Sequence, residues 1–292
     1  MSVTQKTAVV GLGSMGYGIA SSLLRGGHET YGFDINEAQV ERFQNEGGSK
    51  GALKDIAPEL DALIIVVLNA AQTQDVLFGD SMEEKCNALG LHYLDAPISG
   101  GSVKAANGQL SIMASGKPEV FEAAQLVLDA TAETVFRLGD AAGAGSAMKA
   151  VNQLLAGVHI ATMAEALTFG MTQGVEPDKF LEVISKCAGT SWMLENRAPH
   201  IVEGDYTPHS SVNIWPKDLG IVLDIAKSAN FDAPISQAAK LREQICLLAK
   251  SMFDRGLTGG STGNISARTS DGGLLVSPTG TSFGRLDPAR LS

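Results

Sequence analysis

With 292 residues, the chain is long enough for two domains with separate cores. Its 44% hydrophobic and 18% charged residues are those of an ordinary globular protein, and its 33 glycines supply tight turns and close helix packing. A formal net charge of −10, with no cluster of Lys and Arg interleaved with aromatics, excludes a surface built for nucleic acid, although a few converging cations can still hold a small acid. Cys86, Cys187 and Cys246 lack C-x-x-C spacing and the five histidines lack metal spacing, so neither a disulfide framework nor a metal is expected. No apolar run approaches the ~20 residues that span a bilayer. The first residues do not read as a signal peptide, so a cytoplasmic protein with no membrane partner is expected.

Thr7-Ala8-Val9-Val10 predicts a short strand that runs straight into Gly11-Leu12-Gly13-Ser14-Met15-Gly16, after which Ile19, Leu23 and Leu24 recur at helical spacing. Strand, glycine turn and helix in that order form a dinucleotide-binding fingerprint. Gly11 permits the turn, Gly13 lets a pyrophosphate approach the backbone, and Gly16 lets the helix pack on the strand. The anion then sits on the free N–H groups at the helix start, which makes residues 11–16 candidate cofactor ligands. Gly26-Gly27 closes the helix, Glu29 to Phe33 predicts a second strand, and Asp34 stands at its end, roughly 20 residues beyond the glycines. A carboxylate there accepts hydrogen bonds from both ribose hydroxyls and repels a 2′-phosphate, which selects NAD over NADP. Asp34 equally suits a turn or N-cap before a helix at Glu37. Leu60 to Leu68 predicts a buried parallel strand, with Asn69 at its carboxyl end, placed either to contact the cofactor or to cap the next helix.

Tyr93-Leu94-Asp95 reads as a strand, with Ser99-Gly100-Gly101 after it at a carboxyl sheet edge. A hydroxyl and two unhindered backbone N–H groups there suit a carboxylate ligand, or simply a turn. An Ala/Gly-rich helix from about Ala144 to Met171 carries Lys149 and Asn152, three apart and therefore on one face. Lys217 follows Pro216, a residue that fits the first turn of a helix.

Taken together, these segments resemble the β-hydroxyacid dehydrogenase family. Gly11 to Leu24 looks like its cofactor signature, Asp95-Ala-Pro-Ile-Ser-Gly-Gly101 like its substrate loop, Gly145 to Asn152 like its catalytic helix, and Lys217-Asp218-Leu219-Gly220 like its second lysine region. Gly189 to Pro208 most resembles the L-threonate dehydrogenases within it. The resemblance implies NAD as cofactor and Lys149 as general acid and base, with Ser99, Gly100, Gly101 and Asn152 binding substrate. It places Lys217 on the cofactor or on the substrate carboxylate. It further implies a small carboxylate-bearing sugar acid such as L-threonate, oxidised at C2 to 2-oxo-tetronate, and a homo-oligomer formed through the helical domain.

Two departures from the family stand out. Between Phe78-Gly-Asp-Ser81 and Met82-Glu-Glu-Lys85 the family would have a turn, another strand, a Ser/Thr pair and a helix, most of which is missing. Near residue 240 the composition turns Gly/Ser/Thr-rich, and the remainder resembles the beginning of a class II aldolase. In that family Gly263-Asn264 and Thr279-Gly280 would bind phosphate; with no histidine after His209, zinc-dependent aldol chemistry is not expected. The expected fold is therefore α/β: a Rossmann-type doubly wound sheet lacking one strand (1–138), an all-helical domain (139–240) and a short aldolase-like tail (241–292). The departures leave one alternative function, a catalytically impaired NAD-binding relative arising from a truncated dehydrogenase–aldolase fusion.

Overall fold

The computed structural model describes residues 4–67, 82–205, 214–254, 265–269, 274–277, 282, 283, 286 and 291. It divides into two compact units, Met1–Lys149 and Ala150–Ser292.

The first unit opens with β1 (Lys6–Val10), α1 (Ser14–Arg25), β2 (Glu29–Phe33), α2 (Glu37–Asn45), the short α3 (Leu53–Ile56) and β3 (Ala62–Ile65). β1 lies in the middle and pairs in parallel with both neighbours, Lys6↔Glu29 to Val10↔Phe33 on one side and Thr7↔Ala62 to Val10↔Ile65 on the other. Because crossovers between parallel strands are right-handed, the reversal of direction after β2 sends α1 and α2 to opposite faces. This is a doubly wound, Rossmann-type arrangement, and its switch point lies at the carboxyl end of β1. Phe43 of α2 is fully buried, with its ring against Gly32 and Gly48, where any added Cβ would come within 2.6 Å and 2.4 Å of it. Burying such a side chain stabilises the fold by about 2–3 kcal/mol.

The unit continues with α4 (Met82–Ala88), β4 (Ile98–Ser99), α5 (Gly101–Asn107), β5 (Leu110–Ala114), α6 (Pro118–Thr131) and β6 (Ala132–Arg137). β5 pairs antiparallel with β4 and parallel with β6. Here the structure corrects the sequence reading in two places. The strand expected at 93–95 begins only at Ile98, and Asp95 keeps a single antiparallel bridge to Ser115. Pro97 interrupts the ladder between them: it has no N–H to donate, and only its carbonyl pairs, accepting the Met113 N–H at 2.9 Å. The expected single sheet is also two three-stranded sheets, β2-β1-β3 and β4-β5-β6, and no strand among the described residues joins them. Leu63 of β3, expected to be buried, is 39% exposed. One core nevertheless gathers Val9, Leu12, Ile19 and Leu23 with Leu110, Ile112, Phe121 and Leu128. α1 lies directly on α5 because Gly18 has no Cβ; one would stand 2.6 Å from the Ala106 backbone nitrogen.

α7 (Ala144–Thr172) contains the division between the units. By length and composition it could cross a membrane, and little of its most apolar stretch is buried. Lys149, Gln153, His159 and Glu165 interrupt it, so it shows no long uninterrupted apolar run.

In the second unit, Met163 and Leu167 of α7 form a core with Phe180, Leu194 and Ala198, contributed by α8 (Pro177–Ile184) and α9 (Trp192–Glu203). Ser191 caps α9 by accepting the Leu194 N–H at 3.1 Å. α10 (Ile214–Ser228) has Pro216 in its first turn, as expected, and α11 (Pro234–Asp254) runs unbroken through residue 240. A small antiparallel pair follows, β7 (Ser266–Arg268) and β8 (Leu274–Val276). Ile245 of α11 packs with Leu275 and Leu291, so this small core is formed within residues 241–292.

Candidate active site

The glycine turn is built from three positions with different steric roles. Gly11 has φ +96°, and a Cβ on it would stand 2.1 Å from the Val66 carbonyl oxygen. A Cβ on Gly16 would stand 1.8 Å from the Gly11 carbonyl oxygen, so strand and helix meet backbone to backbone. Gly13 is the opposite: it is exposed, nothing lies within 4 Å of where its Cβ would be, and it N-caps α1 with no side chain closing the terminus. Ser14, exposed, and Met15, packed on the core, follow in the first turn. Leu12 is 1% exposed, so its side chain belongs to the core and only its backbone faces the turn.

Asp34 ties the end of β2 to this turn. Its Oδ2 accepts the Leu12 N–H at 2.6 Å and its Oδ1 accepts the Asn36 N–H at 2.8 Å. The cap of α2 is Asn36, which accepts the Ala38 N–H at 3.2 Å, so Asp34 has the turn role and not the N-cap role. An open helix terminus, a glycine floor that admits no side chain and a carboxylate at the next strand end fit the pyrophosphate and ribose of a dinucleotide. Asn69 lies outside the described residues.

Ser99 ends β4, opposite Ser111 of β5. Since the two strands are antiparallel, the Ser-Gly-Gly segment lies at the carboxyl end of β4 but beside the amino end of β5. Gly100 and Gly101 take φ +136° and +74°, left-handed values that turn the chain into α5. At the other end of the same segment, Asp95 is 8% exposed and reaches the start of α7. Its Oδ2 accepts the Gly143 and Ser146 N–H groups, both at 2.9 Å, and the Ser115 hydroxyl at 3.2 Å; its Oδ1 accepts the Ser146 hydroxyl at 2.6 Å. The Ser115 hydroxyl oxygen also accepts the Gly145 N–H at 3.0 Å. Lys149 is half-buried, one turn further along α7. Glu83, Glu84 and Tyr93 line a cleft with Asp95, Gly143 and Ser146. Burial, then the nearby Asp95 charge, pushes the Tyr93 phenol above its ordinary pKa.

In the second unit, Asn152 donates to Gln153 Oε1 at 2.9 Å, and Gln153 donates to Asp218 Oδ2 at 2.5 Å. Asp218 also pairs with Lys217 at 2.9 Å and is only 12% exposed at its side chain. Asp218 pins α10 to α7, where Gly157 lets Leu219 approach to 2.8 Å of a would-be Cβ. Sequence reasoning missed Gln153, Ser115 and the bonds of Asp95. No local signal marks a cap whose target lies 48 residues away.

An L-threonate dehydrogenase of Cupriavidus necator is 43% identical over 263 residues, covering 81% of this chain and 89% of the relative. The chain belongs to the β-hydroxyacid dehydrogenase family. It is accordingly an NAD-dependent oxidoreductase acting on CH–OH groups. An L-threonate dehydrogenase of Haemophilus influenzae is 44% identical, covering 80% of this chain and 86% of the relative. Residues 6–84 and 79–139 match the NAD-binding domain of 6-phosphogluconate dehydrogenase, and residues 143–253 match the family described as NAD-binding of NADP-dependent 3-hydroxyisobutyrate dehydrogenase. The first match comes in two pieces that overlap at residues 79–84, where the sequence departs from the family. Among solved structures, a 3-hydroxyisobutyrate dehydrogenase of Salmonella typhimurium superposes with a TM-score of 0.75 at 41% identity, covering 84% of this chain and 95% of that one. The Mycobacterium tuberculosis enzyme, with L-serine, gives 0.74 at 25% identity, covering 86% and 95%. Residues 243–292 match the class II aldolase and adducin N-terminal domain, overlapping the preceding match within α11.

Proposed function

We propose that this dehydrogenase oxidises the C2 hydroxyl of a four-carbon sugar acid, L-threonate in the first place, to 2-oxo-tetronate, with NAD as acceptor. The observation that carries the substrate is the similarity to L-threonate dehydrogenases over four fifths of the chain. In this reading the backbone of residues 11–16 and the open start of α1 hold the pyrophosphate, and Asp34 holds the adenosine ribose and repels a 2′-phosphate. The family resemblance assigns Asn69 and Lys217 to the cofactor as well. A bound nicotinamide supplies the acceptor for the hydride that leaves C2. The Ser99 hydroxyl and the N–H groups of Gly100 and Gly101 hold the substrate carboxylate, and the Asn152 amide orients the hydroxyl. Lys149, as the neutral amine, takes the hydroxyl proton and returns it in the reverse direction.

The test is a panel of sugar acids assayed with NAD for NADH formation by the full chain. L-threonate gives the highest kcat/KM, and Lys149→Ala lowers kcat by about 100-fold to 10,000-fold while NADH binding stays within about threefold. NADH binding without turnover of any acid would leave a non-catalytic NAD-binding protein and end the proposal.

A further inference from the structure

Residues at the start of α7 make contacts that the reaction outlined above does not use. The first N–H groups of any helix lack partners within it. Here Gly143 is the N-cap residue, since its carbonyl accepts the Ala147 N–H at 2.9 Å. The Gly143 and Ser146 N–H groups end on Asp95 Oδ2, and the Gly145 N–H ends on the Ser115 hydroxyl. The terminus is thus closed by groups from the end of β5 and from the segment that leads to Ser99. A negative charge at this end is also favourable toward the helix dipole.

Closure is accompanied by close packing. A Cβ on Gly145 would stand 2.3 Å from the Met113 carbonyl oxygen and 3.0 Å from the Asp95 carbonyl oxygen, so the first turn rests on backbone with no side chain between. The Ser146 hydroxyl adds a bond to Asp95 Oδ1 at 2.6 Å. Ser146 precedes Lys149 by three residues, so the two share a helix face, and the Ser146 contact fixes the rotation of the turn that carries Lys149. Asp95 itself is buried and held to β5 by a two-way backbone bridge with Ser115, at 3.1 Å and 2.8 Å.

We infer that Asp95 is a positioning residue for the dehydrogenation: by closing the N-terminus of α7 it sets where the Lys149 amine stands relative to the Ser99-Gly100-Gly101 segment. This rests on the proposed role of Lys149. Asp95 touches neither substrate nor cofactor in this scheme; it acts through the helix. Displacing a reacting group by about 1 Å can cost on the order of 100-fold in rate, so a cap of this kind has leverage on kcat with little on substrate affinity.

The full chain decides it through two measurements. In the first, Asp95→Asn lowers kcat by about 30-fold and Ser146→Ala, the milder change that removes only the Oδ1 bond, by about threefold to tenfold, with KM and NADH binding within about threefold. When Lys149 is already Ala, Asp95→Asn lowers kcat by less than about twofold further, because residues that act as one unit are not additive. A cap that merely holds the fold together would cost the same factor in both backgrounds, and that result overturns the proposal. In the second, which needs no turnover, amide hydrogen exchange over residues 143–149 accelerates at least about tenfold in Asp95→Asn while peptides covering β1 and α1 are unchanged. Unchanged protection at 143–149 also overturns it. Wild-type turnover by Lys149→Ala removes the proposed role of Lys149 and the positioning role with it, while the oxidation itself stands. An inactive Lys149→Ala combined with a multiplicative Asp95→Asn loss removes only the positioning role.

Discussion

At the start of α1 the cap is Gly13, with no side chain and empty space where one would stand, whereas at the start of α7 the N–H groups of Gly143 and Ser146 end on the buried carboxylate of Asp95. Both termini present the same partial positive charge from unpaired N–H groups. The difference lies in who neutralises it. Leaving α1 open reserves its charge for a ligand anion, and the glycines around it keep side chains out of that space. Closing α7 with an internal carboxylate uses the same charge to hold a helix against a sheet, at the cost of any affinity for an anion there. In the proposed scheme one terminus serves binding and the other position.

This contrast can be broken at several points. The largest effect is expected for Gly16→Ala, because the new methyl would stand 1.8 Å from a backbone oxygen that no rotamer change can move. The expected loss is about 3 kcal/mol of stability, or a drop in thermal midpoint of roughly 10 °C, together with loss of NADH binding. A variant that melts and binds like the wild type removes the claim that strand and helix meet backbone to backbone. Gly13→Asp separates binding from folding. Its backbone, φ −66° and ψ −173°, suits any residue, and aspartate is a good N-cap. Stability should hold or rise slightly, while a carboxylate on the open terminus weakens NADH binding by about 100-fold. Calorimetric titration with NADH checks it, and undiminished affinity would mean that the anion does not sit there. The smallest effect concerns the closed terminus. Asp95→Asn should lower the Tyr93 pKa, since the Asp95 charge helps raise it, yet leave it above the ordinary value, since burial is the larger cause. A pH titration of tyrosinate absorbance, with Tyr93→Phe to assign the step, reads this out; no downward movement would show that the charge does not act on Tyr93.

Much of the first unit was legible in the sequence. The order of strand, Gly11 to Gly16 and helix is a local pattern, and the structure has β1, the turn and α1 in that order. The helix expected from about Ala144 to Met171 is Ala144–Thr172, since alanine-rich stretches with helical spacing need no distant partner to be recognised. The strand near Asp95 was misplaced because Pro97 acts on ladder pairing, which depends on a neighbour not visible in the local pattern. The departure from the family after Ser81 was legible by comparison. The division of the described strands into two three-stranded sheets over one core was not, because it depends on pairing between segments distant in the chain.

The sequence by itself determined most of the open terminus: within six residues, Gly11 supplies the positive φ of the turn and Gly16 its close contact with the Gly11 carbonyl, while the Val66 carbonyl that closes on Gly11 comes from β3's end. Only the tertiary structure decided the closed one. Asp95 meets Gly143 and Ser146 across 48 and 51 residues, a contact made where Gly145 rests on the Met113 and Asp95 carbonyls. A buried carboxylate in that place must find donors, and those it finds belong to the helix that carries Lys149.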